Sequence, residues 1–390
     1  MDGMQRIIDR FAKLSPAWRW SITIWLAARI ILTLWPLGVW AVGVPFMPNM
    51  DLYYELEPIT GGLAEPLLGF WQRWDAIHYQ RIVENGYAAV QSTVFFPLFP
   101  LLGAALVALT GMNSLLALMI ISNLATLVAL KVMYKLVEED YGLTAARGAT
   151  VAALLLPTSF FLFAPFPNAL SLMLILLAYQ AARRRRFFPA SLYGLATGLS
   201  HGTGVPLAIL LGYEVLRALR APGRKLVDWV LLAVPFTPLM GTALFMAWRY
   251  AAGFPSYAWV QEEFWKRGLQ WPWVSLMRMF NAFQNAWYMT SGWSYLVLFL
   301  LALAALVSGW KRPKREKWWF LVATVVLMFS APDRQIPLVG YGRYALIMFP
   351  FFAVLAAWFQ NIRHKRLVIV PALLSQFLLM SLYYLWLWVD

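Results

Sequence analysis

The chain has 390 residues, of which 61% are hydrophobic and only 13% charged, and its mean hydropathy is +0.63. A soluble domain of this length cannot bury that much apolar surface, so a bilayer must be its solvent and a soluble globule is excluded. The formal net charge of +14 does not point to nucleic acid, because Lys and Arg cluster between apolar stretches, as at Lys131, Lys135 and Arg147 or at Arg183 to Arg186, which is positive-inside topology.

The chain has no cysteine, which rules out disulfides and thiolate chemistry. Taken in order, the apolar runs predict an all-α polytopic membrane protein, a single domain over 1–390 with about 11–12 membrane helices. The first run, 20–44, is too long and too poor in a small-residue cleavage site for a removable signal, so it is read as a retained helix with a cytoplasmic N-terminus. Arg29 lies inside it and needs an interior partner or a lipid phosphate. A first outer loop spans 45–93. The apolar stretch Val94 to Thr110 is expected to dip in and return, or to pair with a short break elsewhere, since a full crossing would invert every later basic cluster.

Further spans follow at 114–136, 147–165, 168–182, 188–203, 204–218 and 227–250, then a second outer loop at 251–290, then spans at 291–309, 318–331, 342–360 and 367–388. The C-terminus then lies outside. Gly198, Gly202, Gly204 and Pro206 interrupt the stretch from 188 to 218, which predicts broken helices of the kind that line cavities.

The outer loops collect acids and aromatics, a composition that suits sugars and lipid headgroups. Within Phe70 to Tyr87, the residues Trp71, Trp74, Ile77, Ile82 and Val83 recur at helical spacing, and Asn85-Gly86 supplies a stop. This reads as a short helix lying at the interface. Asp75, His78 and Tyr79 stand at i, i+3 and i+4 on it, so one face offers a carboxylate, an imidazole and a phenol. The bland alternative for Asp75 is a carboxylate that caps a helix or pairs with Arg73. Asp51 is the backup base. The Trp-rich stretch from Trp259 to Trp273 is most simply an interfacial belt, or else shapes an acceptor groove with Glu262 and Glu263.

Arg73-Trp74-Asp75-Ala76-Ile77-His78-Tyr79, then Glu84-Asn85-Gly86-Tyr87, then Phe95-Phe96-Pro97-Leu98-Phe99-Pro100, resembles the first-loop signature of the PIG-V family of GPI mannosyltransferases and its bacterial relatives. Leu156-Pro157-Thr158-Ser159-Phe160-Phe161-Leu162 and Gly342-Arg343-Tyr344 resemble further patches of that family. The resemblance implies a GT-C-type glycosyltransferase fold. It also implies transfer of a hexose, most simply mannose, from a polyprenyl-phosphate donor to an acceptor hydroxyl at the non-cytoplasmic face, with the first-loop acid Asp75 as base.

The leaving phosphate needs fixed positive charge, and Arg343 and Arg334 are the preferred ligands, with His201 adding a donor. Arg73, Trp74, Asn168 and Tyr344 are expected to contact substrate. Two departures from the family pattern stand out: Asn168 where relatives carry an acid, and His201 where they carry Arg.

No Walker loop, dinucleotide fingerprint, His-x-x-x-His pair or Asp-x-Asp motif occurs, so no cofactor and no metal are expected and the lipid-linked sugar is a substrate. The expected partners are that donor, an unknown lipid, glycan or protein acceptor, and membrane lipids, with no nucleic acid. The rival reading is a secondary transporter or a flippase of lipid-linked sugars. Transporters tend to bury charges at the midplane and repeat their halves, whereas here the acids gather in an outer loop and no repeat is seen. The expected location is a bacterial cytoplasmic membrane, or the endoplasmic reticulum membrane in a eukaryote.

Overall fold

The structure, a computed structural model, describes the chain apart from residues 1–4, 6–8, 45–47, 54–55, 223–225, 287–299, 301–302, 305, 308–313, 332, 334–339, 361, 388 and 390. The expected span at 291–309 and the expected phosphate ligand Arg334 therefore lie largely or wholly outside the described residues. The main helices are α1 (Pro16–Ala41), α2 (Asp75–Asn85), α3 (Leu98–Thr110), α4 (Ser114–Tyr141), α5 (Leu143–Leu155), α6 (Asn168–Arg183), α7 (Phe187–Ser200) and α8 (Leu207–Leu219). They continue with α9 (Thr237–Ala251), α10 (Tyr257–Trp265), α11 (Pro272–Ala286), α12 (Arg315–Phe329), α13 (Tyr341–Ala345), α14 (Phe349–Gln360) and α15 (Arg366–Tyr384). Among the described residues there is no strand, only an isolated antiparallel bridge between Arg267 and Asp333.

Five segments are long and apolar enough to cross a bilayer: Pro16–Ala41, Ser114–Tyr141, Gly202–Leu219, Trp229–Ala251 and Arg366–Tyr384. Others among the expected crossings are shorter or interrupted. The 13 residues of α5 rise about 20 Å, less than a hydrocarbon core of roughly 30 Å.

The expected span 147–165 stops at Leu155, and the chain returns to α6 through Pro157 and a 3-10 turn at Ser159–Leu162. Irregular backbone at membrane depth must have its carbonyls satisfied by protein. Polar side chains of α4 do this: Thr126 Oγ1 donates to Leu162 O at 2.5 Å, Asn123 Nδ2 to Phe163 O at 3.1 Å and Ser122 Oγ to Phe166 O at 3.1 Å.

α3, with 13 residues, is shorter than a full crossing and packs along α2. Its first turn meets α2 where the Phe99 and Tyr79 rings lie 5.1 Å apart. The next helix starts at Ser114, which donates a hydrogen bond to Glu84 near the end of the same α2. Both ends of α3 thus come back to one loop helix.

The break between α7 and α8 also falls where Gly and Pro predict it. α7 ends at Ser200, His201 is extended, Gly202–Gly204 forms a 3-10 turn and Pro206 caps α8. α7 and α9 cross in near backbone contact, because a Cβ on Gly198 would stand 1.9 Å from Pro238 O and one on Gly241 2.2 Å from Leu195 O. Close approach over small residues is the usual basis of helix association in lipid.

Arg29, left without a role by the sequence, sits 5.5 Å from the Trp71 ring of the first loop. At the end of the molecule carrying the basic clusters, Asp140 at the end of α4 pairs with Lys314, Lys317 and Arg183. This ties the ends of α4, α6 and α12 together.

Candidate functional site

The first loop is built around two buried polar side chains. Gln72 accepts from Ile59 N at 2.9 Å and donates to Glu57 O at 3.1 Å and to Gln80 Oε1 at 2.9 Å. Arg73 donates through Nη1 to Gly69 O at 2.7 Å, Gln72 O at 3.1 Å and the Tyr53 hydroxyl at 3.4 Å. With both anchored, the chain turns sharply into α2. Ala76 N bonds Arg73 O at 3.1 Å, and Trp74 between them has φ 54 and ψ −129. These angles are those of the first central residue of a type II′ turn, a place that favours glycine. Holding tryptophan there costs about 1–3 kcal/mol, and such strain persists only where surrounding contacts over-determine it.

The turn delivers Asp75 to the first turn of α2, where its carboxylate accepts a 2.5 Å hydrogen bond from Arg343 Nη1. The two side chains are 15% and 8% exposed, so the pair is mostly desolvated while part of the carboxylate can be reached. Burial works to raise the Asp75 carboxyl, but Arg343, helped by His78 and Arg267, outweighs it and holds the group below the usual carboxylate range. The bland alternative named Arg73 as a partner for Asp75; the ion pair is with Arg343.

Arg343 is itself positioned by the patches that the sequence singled out. Asn168 Nδ2, at the start of α6, donates to Arg343 O at 3.1 Å, and Thr158 Oγ1 donates to Gly342 O at 2.8 Å. The guanidinium lies 5.6 Å from the Phe161 ring and 5.3 Å from the Phe166 ring. Asn168, expected to contact substrate, is buried and supports the Arg343 backbone.

Three further expectations change. α2 does not lie open at an interface, because every residue from Ala76 to Ile82 is buried: the second loop, α3 and α4 surround it. His78 and Tyr79 consequently do not share an open proton-handling face with Asp75. His78 Nδ1 is 3.1 Å from Ser92 Oγ, and its ring stacks on Phe95 and meets Trp265 edge-on, both at 5.1 Å. Burial pushes its imidazole down to about 4, with only partial compensation from Asp75, so it is neutral at pH 7. Tyr79 is 3% exposed between Phe95 and Phe99, and burial raises its phenol well above 10. Arg73, expected to face substrate, is fully buried, and its Nη1 is turned to the loop's own carbonyls. Trp74 is half-buried, with its ring against Trp386 at 5.7 Å.

Beside Arg343, Tyr344 and His201 do come together, their rings 5.4 Å apart. His201 Nδ1 is 2.7 Å from Thr203 Oγ1. Sequence reasoning passed over Arg267, which follows α10 in the second loop. Its Nη1 donates to the Tyr344 hydroxyl at 2.8 Å. Gly340, with φ +91, makes room: a Cβ there would stand 3.1 Å from Arg267 Nη2 and 2.7 Å from the Tyr344 ring. A pairing across 77 residues leaves no local signal. Asp51 is exposed at the rim, as are Glu262, Glu263, Trp259, Trp271 and Trp273. The site thus joins a carboxylate able to accept a proton to guanidinium groups able to meet an anion, on segments gathered from four parts of the chain.

A helical membrane protein with a desolvated acid–arginine pair at its loop face is the class these features define. By sequence, the chain is a relative of the GPI alpha-1,6-mannosyltransferase 2 proteins. It is 32% identical to the Mus musculus protein over 206 residues, covering 49% of this chain and 42% of that one. It is 34% identical to the Cricetulus griseus protein over 160 residues, covering 38% and 32%. The match therefore spans less than half the length of these relatives. No protein-family model matches. Among solved structures, the Archaeoglobus fulgidus oligosaccharyltransferase aligns over 92% of this chain and 53% of its own, with 14% identity and a TM-score of 0.41.

Proposed function

We propose that the chain is an inverting, membrane-embedded glycosyltransferase of the GT-C type. It moves a hexose, most simply mannose, from a polyprenyl-phosphate donor to an acceptor hydroxyl at the non-cytoplasmic face. The observation that carries this reading is the Asp75–Arg343 pair, which joins the first loop to α13 in a chain similar to mannosyltransferases. Arg343 meets the donor phosphate, with His201, Tyr344 and Arg334 as further ligands. Asp75 accepts the proton of the acceptor hydroxyl as its oxygen attacks the anomeric carbon from the side opposite the phosphate. The bond from anomeric carbon to phosphate oxygen breaks, polyprenyl phosphate leaves with the electron pair, and the configuration inverts. His78 and Tyr79 shape the pocket wall behind Asp75. The lipid-linked sugar is a substrate, and the scheme needs no cofactor or metal.

The acceptor is a lipid, glycan or protein hydroxyl. The N-terminus and the Asp140 end face the cytoplasm, in a bacterial cytoplasmic membrane or in the endoplasmic reticulum.

The test is to incubate purified protein with labelled polyprenyl-phosphate mannose and candidate acceptors and to determine the anomeric configuration of any product. Transfer with inversion is expected. Absence of transfer from every lipid-phosphate sugar, together with substrate flux in proteoliposomes, would favour the transporter or flippase. Single cysteines placed at Glu262 and at Arg184 should be labelled from opposite sides of a sealed vesicle, Glu262 from the non-cytoplasmic one.

A further inference from the structure

We infer that the far end of α15 is the positioning clamp of Asp75: Trp386 and Tyr383 hold Arg73 and Trp74 in the strained turn that aims the carboxylate at Arg343. The kinetic part of this rests on the proposed function; the conformational part does not.

Within its own segment, nothing favours tryptophan at φ 54, since side chains in that region clash with their own backbone. The contacts that enforce it arrive from more than 300 residues away in sequence. Trp386 lies 4.6 Å beneath the Arg73 guanidinium, and Tyr384 lies 5.5 Å from it. The Tyr383 hydroxyl reaches Trp71 O and Arg73 O, each at 3.4 Å, which are backbone carbonyls on the approach to the turn. The Trp386 ring also meets Trp74 edge-on at 5.7 Å and Tyr53 at 5.9 Å. Tyr53 in turn donates to Gln72 O at 3.0 Å.

Trp74 and the residues that lead into it, Trp71 to Arg73, are thus gripped by the same aromatic group. Trp386 has a left-handed backbone of its own, φ 60, so the clamp is bent into place on both sides. The contacts of Trp386 and Tyr383 fall on Arg73, Trp74 and the Trp71 and Arg73 carbonyls. Both side chains act through the turn, which makes them positioning residues rather than catalytic ones.

The absence of native cysteine allows a direct reading of where Asp75 sits. In an Asp75→Cys background, the rate of thiol labelling by a water-soluble maleimide reports the exposure of that position. If the clamp sets the turn, W386A changes this rate by about fivefold or more, and W386F, which keeps a ring over Arg73, stays close to the parent. W74G added to W386A restores the parent rate, because glycine adopts the turn without being held there. Restoration by glycine is what a merely packing role for Trp386 would not produce.

Should W386A fail to fold, Tyr383→Phe removes only the hydroxyl at the two carbonyls and is expected to shift the rate in the same direction by a smaller factor. A labelling rate unmoved by either change, or unmoved by adding W74G, overturns the inference. In the chain with native Asp75, W386A should lower kcat at unchanged donor KM, and W74G should recover it. If the native chain transfers no sugar, the proposed function fails while the labelling result still decides the clamp.

Discussion

Replacing Asp75 by asparagine should abolish turnover while leaving a folded protein, and the reason lies in Arg343. The two side chains are 15% and 8% exposed, so removing one charge strands the other in a mostly desolvated site. Breaking a buried pair outright costs about 3–5 kcal/mol. Asparagine keeps an oxygen that can still accept from Nη1, so a loss of about 2 kcal/mol is expected for D75N.

The double variant D75N/R343Q leaves no unpaired charge and should cost less than the two single changes together, by about 1–3 kcal/mol. Turnover follows different arithmetic, since loss of a positioned base lowers kcat by about 10²–10⁴-fold in both D75N and the double variant. The sign of the pH effect is fixed by the direction of the Asp75 shift. A carboxylate held below its unfolded value, about 3.9, contributes stability that is complete above that pH and is lost as pH falls through the lower folded value.

The stability gap between native and D75N should therefore be constant from pH 8 to 5 and close only below about pH 4. Thermal unfolding in detergent and steady-state transfer measure the two effects separately. Additivity of the single changes within about 0.5 kcal/mol, or D75N turnover within about tenfold of native, would refute the assignment.

Four other changes test the surroundings. His78 is neutral in the fold, its imidazole pushed down to about 4, and charges more readily when unfolded. Stability should fall as pH drops from about 6.5 toward 4, by at most about 3 kcal/mol, and His78→Phe should flatten that slope in melting curves taken across the range. Asn168→Ala removes the donor to Arg343 O; it should cost about 1–2 kcal/mol and raise donor KM more than it lowers kcat. Gly198→Ala drives a methyl to 1.9 Å from Pro238 O and should destabilise by about 1–3 kcal/mol. Gly212→Ala, with nothing nearer than 3.8 Å, should be neutral or slightly stabilising in the same assay.

The sequence alone determined the solvent and the breaks. Apolar runs bounded by basic clusters call for a bilayer whatever their packing, because the free energy of burying apolar surface depends on composition before it depends on contacts. The break at 201–206 was legible because Gly and Pro act on their own backbone. Asp75 was legible from its motif, and Arg343 from a second one.

Partnership and exposure were decided only by the tertiary structure. Asp75 and Arg343 are separated by 268 residues, and no periodicity reports a contact at that range. Arg73 and Asp75 look alike on paper, two charges in one outer loop. Yet one is sealed beneath Trp386 while the other is turned to Arg343, because the end of the last described helix folds back over the first loop. The difference between a buried strut and a partly open carboxylate lies in what covers it, and here the cover comes from residues 383–386.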